Sequence, residues 1–305
     1  MTGSSLQGLL SGSIIAGTPL LYATLGEVIG ERAGIINLGL EGVMLMGAVV
    51  GFSTTVQTGN PALGVFAAAL AGALFNMIFG FLVIERRANQ LASGLALMFC
   101  GAGLSALLGA PYIGSQIKGL NEIRIPILSD LPVAGTILFH YDILVYLVVP
   151  IAILVWWALF YTRWGLSLRA VGEKPTAVFA AGRHPYRLQY EALFVAGLLG
   201  GIAGAYLSLA VAKTWAEWMT AGRGFVAVAL VIFSKWHPLR AIAGALLFGG
   251  AIALQLQMQA RGVPISPFLL DMLPYLLSLG VLAVWGGARR HAAPASLGQV
   301  FRGTE

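Results

Sequence analysis

The chain holds 305 residues, 58% of them hydrophobic and only 10% charged, with a formal net charge of +6. So low a charge content, with a mean hydropathy of +0.85, excludes a soluble domain and reads as an integral membrane protein. Nucleic-acid binding is excluded as well: the 18 Lys and Arg residues fall beside the ends of apolar stretches, where membrane orientation and anionic lipid account for them.

About nine stretches are apolar over a length suited to a bilayer. In chain order they are Gly8 to Val28, Ile35 to Val56, Ala62 to Ile84, Leu91 to Ala110, Ile143 to Tyr161, Ala192 to Val211, Gly222 to Ser234, Ala241 to Met258 and Phe268 to Gly286. If successive stretches alternate sides, Arg32, Arg86, Arg87, Arg163, Arg169, Lys174, Arg183, Arg187, Lys235, Arg240, Arg289, Arg290 and Arg302 share one face. Only Lys118, Arg124, Lys213, Arg223 and Arg261 remain on the other. The positive-inside rule then places the C-terminus in the cytoplasm and the N-terminus outside. Gly222 to Ser234 is the weakest crossing, since at ~1.5 Å per residue it covers about 20 Å of a ~30 Å layer. The predicted fold is an all-α membrane protein, a polytopic helical bundle of roughly eight to ten transmembrane segments. It forms one transmembrane domain over residues 1–305, with a cytoplasmic loop at residues 162–191.

The first base is Arg32, so the basic start of a signal peptide is missing and the first stretch reads as an uncleaved span. Cys100 is the single cysteine, which rules out a disulfide framework or a cysteine zinc site. Glycines recur at small-xxx-small spacing, as at Gly197, Gly201 and Ala205. In lipid that spacing lets helix backbones approach closely, so these positions read as packing.

Polar groups inside apolar stretches mark the candidate site. The run Gly26 to Gly47, GEVIGERAGIINLGLEGVMLMG, holds Glu27, Glu31, Arg32, Asn37 and Glu41 among glycines. Facing lipid, such groups would be costly, so they turn toward protein or water, and the glycines suggest a broken helix start. Glu41 reads either as a pathway residue or as a structural partner, paired with Arg32 or hydrogen-bonded to the broken backbone. Asn76, Asn89, Gln90 and Ser93, then Trp215, Glu217, Trp218, Gln255 and Gln257, add amides and aromatics suited to a neutral, ring-shaped solute. Each alone also fits packing or an interfacial anchor.

Within Thr162 to Glu191, Gly-Glu-Lys-Pro followed by TAVFAAG reads as a short helix opened by Pro175 and stopped by Gly182. It would suit a cytosolic partner or serve as an ordinary basic loop. Phosphate-loop, zinc-helix and nucleophile-elbow motifs are all missing, and His140, His184, His237 and His291 lie in loops or near membrane ends. No catalytic residues, metal ligands or cofactor are assigned.

These residues resemble the membrane permease subunits of ABC importers for simple sugars, branched-chain amino acids and nucleosides. Gly26 to Gly47 looks like the family's N-terminal signature, Arg169 to Leu209 like its coupling loop and following helix, and Met219 to Gly249 like its late motif. ERAGIINLGLEG and MTAGRGFVAVALVIFSKWHP look most like the nucleoside-type branch. The resemblance implies a type II importer-like fold in a bacterial inner membrane, with ATP and Mg held by a partner ATPase. It implies a second, non-identical permease, a cytosolic ABC ATPase and an extracytoplasmic binding protein or lipoprotein. It also implies a coupling helix at Glu173 to Gly182, flanked by Gly172 and Arg183. Inverted repeats are expected, with Ala33 to Val50 and Thr220 to Ser234 running in opposite senses from glycine-rich breaks. The expected substrate path comprises Asn37, Glu41, Asn89, Ser93, Phe225 and Gln255. The alternative is a self-contained secondary carrier or facilitator for a small polar solute, for which Glu41 is the one strong relay candidate.

Overall fold

Apolar runs punctuated by Asn, Pro and Gly fold into successive helices. The computed structural model describes residues 3–124, 134–262, 266, 269–270, 272–285 and 293–299. The helices are α1 Gly3–Arg32, α2 Leu40–Thr58, α3 Pro61–Gly80, α4 Gln90–Gly109, α5 Ala134–Leu138, α6 Ile143–Tyr161, α7 Arg163–Glu173, α8 Pro175–Ala180, α9 Pro185–Tyr206, α10 Arg223–Phe233, α11 Pro238–Ala260 and α12 Leu273–Trp285. One-turn π-helices extend α3 through Glu85 and α9 through Val211. A two-residue antiparallel ladder joins β1 Ile123–Arg124 to β2 His140–Tyr141.

Proline opens α3, α8, α9 and α11, where its missing N–H would be unpaired in any case. Side-chain caps at Asn60, Asn89, Asp142 and Thr162 satisfy the first N–H groups of α3, α4, α6 and α7.

Among the described residues, seven helices are long and apolar enough to cross a membrane: Leu6–Arg32, Leu40–Thr58, Pro61–Glu85, Gln90–Tyr112, Ile143–Tyr161, Pro185–Val211 and Pro238–Ala260. The two remaining predicted crossings do not reach that length within the described residues. α10 has 11 residues, because the chain before it runs in turns and Gly222 takes a left-handed φ of 78°. α12 has 13 residues, and residues 268, 271 and 286 of its predicted stretch lie outside the described residues.

Small residues set the closest helix contacts. Gly72 of α3 faces Gly197 and Gly201 of α9, and a Cβ at Gly197 would come within 2.6 Å of the Ala73 Cα. Gly42 of α2 meets Met98 and Gly101 of α4, while Gly12 and Gly17 of α1 meet Ala253 and Ala245 of α11. With lipid tails as apolar as leucine, such backbone approach is what holds helices together.

Contacts along α1 fix the sense of its neighbours. Its 30 residues rise ~45 Å, and the chain then doubles back, with the Ile35 carbonyl beside Gly30 and the Asn37 N–H on Glu27. α2 therefore starts inside the depth that α1 crosses and runs away from the Arg32 end. α10 runs the other way: Thr24 donates to Ala227 O, whereas Trp236, just past its end, donates to Glu31 and accepts from Arg32.

Candidate functional site

The N-termini of these two interrupted helices meet at one carboxylate. Glu41, in the first turn of α2 and 1% exposed, accepts from the Thr220 hydroxyl at 2.5 Å, the Gly222 N–H at 2.7 Å and the Gly224 N–H at 2.5 Å. A helix start leaves its first N–H groups unpaired and partly positive, so an anion aimed at it is held by both charge and hydrogen bonds. Gly224 has to be glycine here, since a Cβ would lie 2.6 Å from Glu41 N and 2.7 Å from its Oε2.

The break before α2 is closed in the same manner. Glu27 accepts from Asn37 N–H at 2.8 Å, Asn37 Oδ1 accepts from Gly39 N–H at 2.8 Å, and Asn37 Nδ2 donates to Asn76 Oδ1 at 2.7 Å. Asn76 Nδ2 in turn donates to Leu193 O at 2.7 Å, tying α3 to α9. Glu41 does take hydrogen bonds from a broken backbone, but from the break before α10 and not from that of its own run. Arg32 instead donates to Trp236 O at 3.1 Å and lies over the Phe160 ring.

Beside this polar layer, α10, α11 and α12 border a half-open cavity of about 350 Å³, lined by Ala221, Arg223, Val226, Ile252, Gln255, Leu256, Pro274 and Tyr275. Arg223 Nη1 donates to Thr220 O at 3.0 Å and Met219 O at 3.3 Å, while its buried Nε has no hydrogen-bond partner among the described residues. Apolar walls with a few convergent polar groups, at a volume within about 300–1,000 Å³, are the usual make-up of a small-molecule site.

The structure thus brings Asn37 and Glu41 into one buried layer and places Gln255 on the cavity wall. Ser93 is buried in the first turn of α4, next to Gly94, which packs on Leu38. Asn89 caps α4 from an exposed position at the Arg32 end. Phe225 is 37% exposed on α10. Thr220, Asn76 and Arg223 join the site beyond the sequence-predicted set. The glycine-rich TAGRGF run was the available signal for two of them, and Asn76 stood among the other intramembrane amides.

At the Arg32 end, α7 and α8 frame a groove of about 540 Å³ whose lining includes Ser167, Val178, Ala181 and Arg183. Gly172 packs against the Arg32 carbonyl. Glu173 and Lys174 are exposed at the α7–α8 junction. Ala181 follows α8, and Gly182, with φ of 77° and open space around it, ends the turn. Arg183 donates to Ser167 Oγ at 2.5 Å, pinning the end of α8 to α7. Pro175 and Gly182 therefore bound a helix as the sequence suggests, one of six residues.

A bundle of membrane-length helices with two interrupted helices meeting beside a cavity defines a membrane transport subunit. Residues 9–282 match the family described as branched-chain amino acid transport system / permease component, and the chain belongs to that family. It is 40% identical over 271 residues to TsgC13 of Haloferax volcanii, named as a candidate glucose ABC transporter permease, covering 87% of this chain and 82% of that one. It is 36% identical to the nucleoside ABC transporter permease NupC of Lactococcus lactis, covering 93% and 94% of the two chains. The guanosine ABC transporter permease NupQ of Bacillus subtilis is 33% identical over 96% of each. No solved structure matches the chain. The chain is a multi-pass permease subunit of an ABC transporter and not an enzyme.

Proposed function

We propose that this subunit imports nucleosides, forming a translocation path together with a second, non-identical permease. The observation that carries the reading is the cavity at the head of α10, where Arg223, Gln255 and Tyr275 converge between apolar walls. Amide and phenol groups suit a heterocyclic base with a ribose, and the guanidinium adds donors for its carbonyl and hydroxyl oxygens. Arg223, Phe225, Gln255 and Tyr275 meet the solute. Asn37, Glu41 and Ser93 form the wall behind it by fixing the two helix starts, and Asn89 stands at the inner mouth. A simple sugar is the second reading, favoured by the similarity to TsgC13.

The chain crosses nine times, counting α10 and α12, with the N-terminus outside and the C-terminus in the cytoplasm. Support comes from the bases gathered at the Arg32 end, from Arg86 and Arg87 after α3 to Lys235 after α10. That end also carries residues 172–183, which seat α8 on a cytosolic ABC ATPase where ATP and Mg bind. An extracytoplasmic binding protein or lipoprotein delivers the solute, and closure of the ATPase pair turns the cavity from one side to the other.

The test is to purify the tagged subunit with its associated proteins in mild detergent and to place the assembly in liposomes. We expect an ATPase and a related permease to copurify, and uptake of labelled guanosine or uridine to require ATP and the binding protein. Uptake of glucose without nucleosides would move the assignment to sugar. Recovery of this chain alone, moving solute without ATP, would replace the importer by a self-contained carrier.

A further inference from the structure

The C-terminal segment 293–299 lies across the inner face and touches three elements that are far apart in sequence. Its centre is Ser296, 7% exposed. The Ser296 N–H donates to Gly172 O at 2.8 Å, and its hydroxyl reaches Gly172 O at 2.7 Å and Val171 O at 3.1 Å. α7 ends at Glu173, so these are carbonyls of its last turn, which have no partner within the helix. Beside them, Ala295 N–H approaches Glu173 Oε2 at 3.4 Å.

The other side of the segment grips the break before α2. Gly298 N–H donates to Gly34 O at 3.2 Å. Gln90, at the start of α4, donates to Gln299 O at 3.3 Å and to Gly34 O at 3.5 Å, and accepts from Ile36 N–H at 2.9 Å. Gly34 itself sits at φ of 88°, where a Cβ would come 2.7 Å from Ser296 Oγ. Leu297 anchors the strap by packing against the main apolar core.

We infer that this strap carries motion from the α7–α8 junction to the interrupted start of α2, with Ser296 and Gln90 as its positioning residues. The inference rests on the proposal that residues 172–183 meet the ATPase. A push on α8 reaches Gly172 first, passes through Ser296 to Gly34 and through Gln90 to Ile36, and arrives at Asn37, whose Oδ1 holds the Gly39 N–H just ahead of α2 and Glu41. Gly172 also packs directly on the Arg32 carbonyl, so the strap is one of two parallel links, and it adds a direct bond from Gln90 at the start of α4 to Gln299 O.

The measurement is solute moved per ATP hydrolysed by the complete assembly in liposomes, for Ser296→Ala, Gln90→Met, the double variant, Ser296→Thr and a chain ending at residue 292. Each is expected to copurify with the ATPase and keep basal hydrolysis. Truncation should lower the transport ratio by about fivefold or more, the scale of an ordinary coupling energy. Ser296→Thr keeps the hydroxyl and should retain most of the ratio. Because Ser296 and Gln90 act in one link, their double variant should lose less than the product of the single losses. An unchanged ratio in the truncated chain would overturn the strap, as would uptake and hydrolysis falling in proportion. Failure of the ATPase to copurify with the unaltered chain would instead strike the coupling assignment beneath it.

Discussion

Glu41 is the residue on which the two interrupted helices depend. Glu41→Ala leaves a buried hydroxyl and two backbone N–H groups without their acceptor. Glu41→Gln keeps one oxygen but turns an amide nitrogen toward a donor. Each buried group left unsatisfied costs about 1–3 kcal/mol, so both variants should unfold at lower temperature in detergent, alanine the more so, when followed by tryptophan fluorescence. Transport by Glu41→Gln should fall without becoming sensitive to a protonophore at clamped ATP. A fully stable Glu41→Gln protein that had lost proton-dependent uptake would mark a relay instead. The acid was legible in the sequence because a carboxylate in an apolar run must have a partner. The partner was not, since Thr220 lies 179 residues away and nothing local encodes that distance.

The breaks and stops of the elements were legible where glycine and proline set them. Pro175 and Gly182 bound α8, and the glycines around Asn37 and before Arg223 mark interrupted starts. Helix length was less so: apolar composition continues from Gly222 back toward Trp215, but the left-handed backbone there limits α10 to 11 residues. The strap left no trace in the sequence, having no apolar period and making contacts 124 and 209 residues away. Between α3 and α9 the contact depends on glycine having no side chain. Gly197→Val should force these helices apart and loosen the Asn76 to Leu193 hydrogen bond one turn away. Overpacking of this kind costs about 1–3 kcal/mol. An unfolding temperature in detergent equal to that of the parent would show that the helices separate freely.

For the molecule as a whole, the proposed arrangement in the membrane rests mainly on charge. Segment 293–299 lies against Gly34 and Gly172, on the same end as α8. Lys213 stands at the opposite end, where its carbonyl accepts from Ile117 N–H. With Cys100 replaced by alanine, Lys213→Cys should react with a membrane-impermeant maleimide in intact cells, and Lys174→Cys only after permeabilisation. The reverse pattern would invert the whole chain.

If the proposed path runs beside α10, the brevity of that helix also sets how thick the barrier is. Its 11 residues rise about 17 Å, little more than half of a ~30 Å hydrocarbon layer. A solute passing beside it would be stripped of water over a correspondingly short distance, which would suit rapid passage of a polar molecule. On that path a septum so thin would seal only while its upper edge stayed in register with its neighbour, so the three hydrogen bonds at that edge would also set the resistance to leaking between transport cycles.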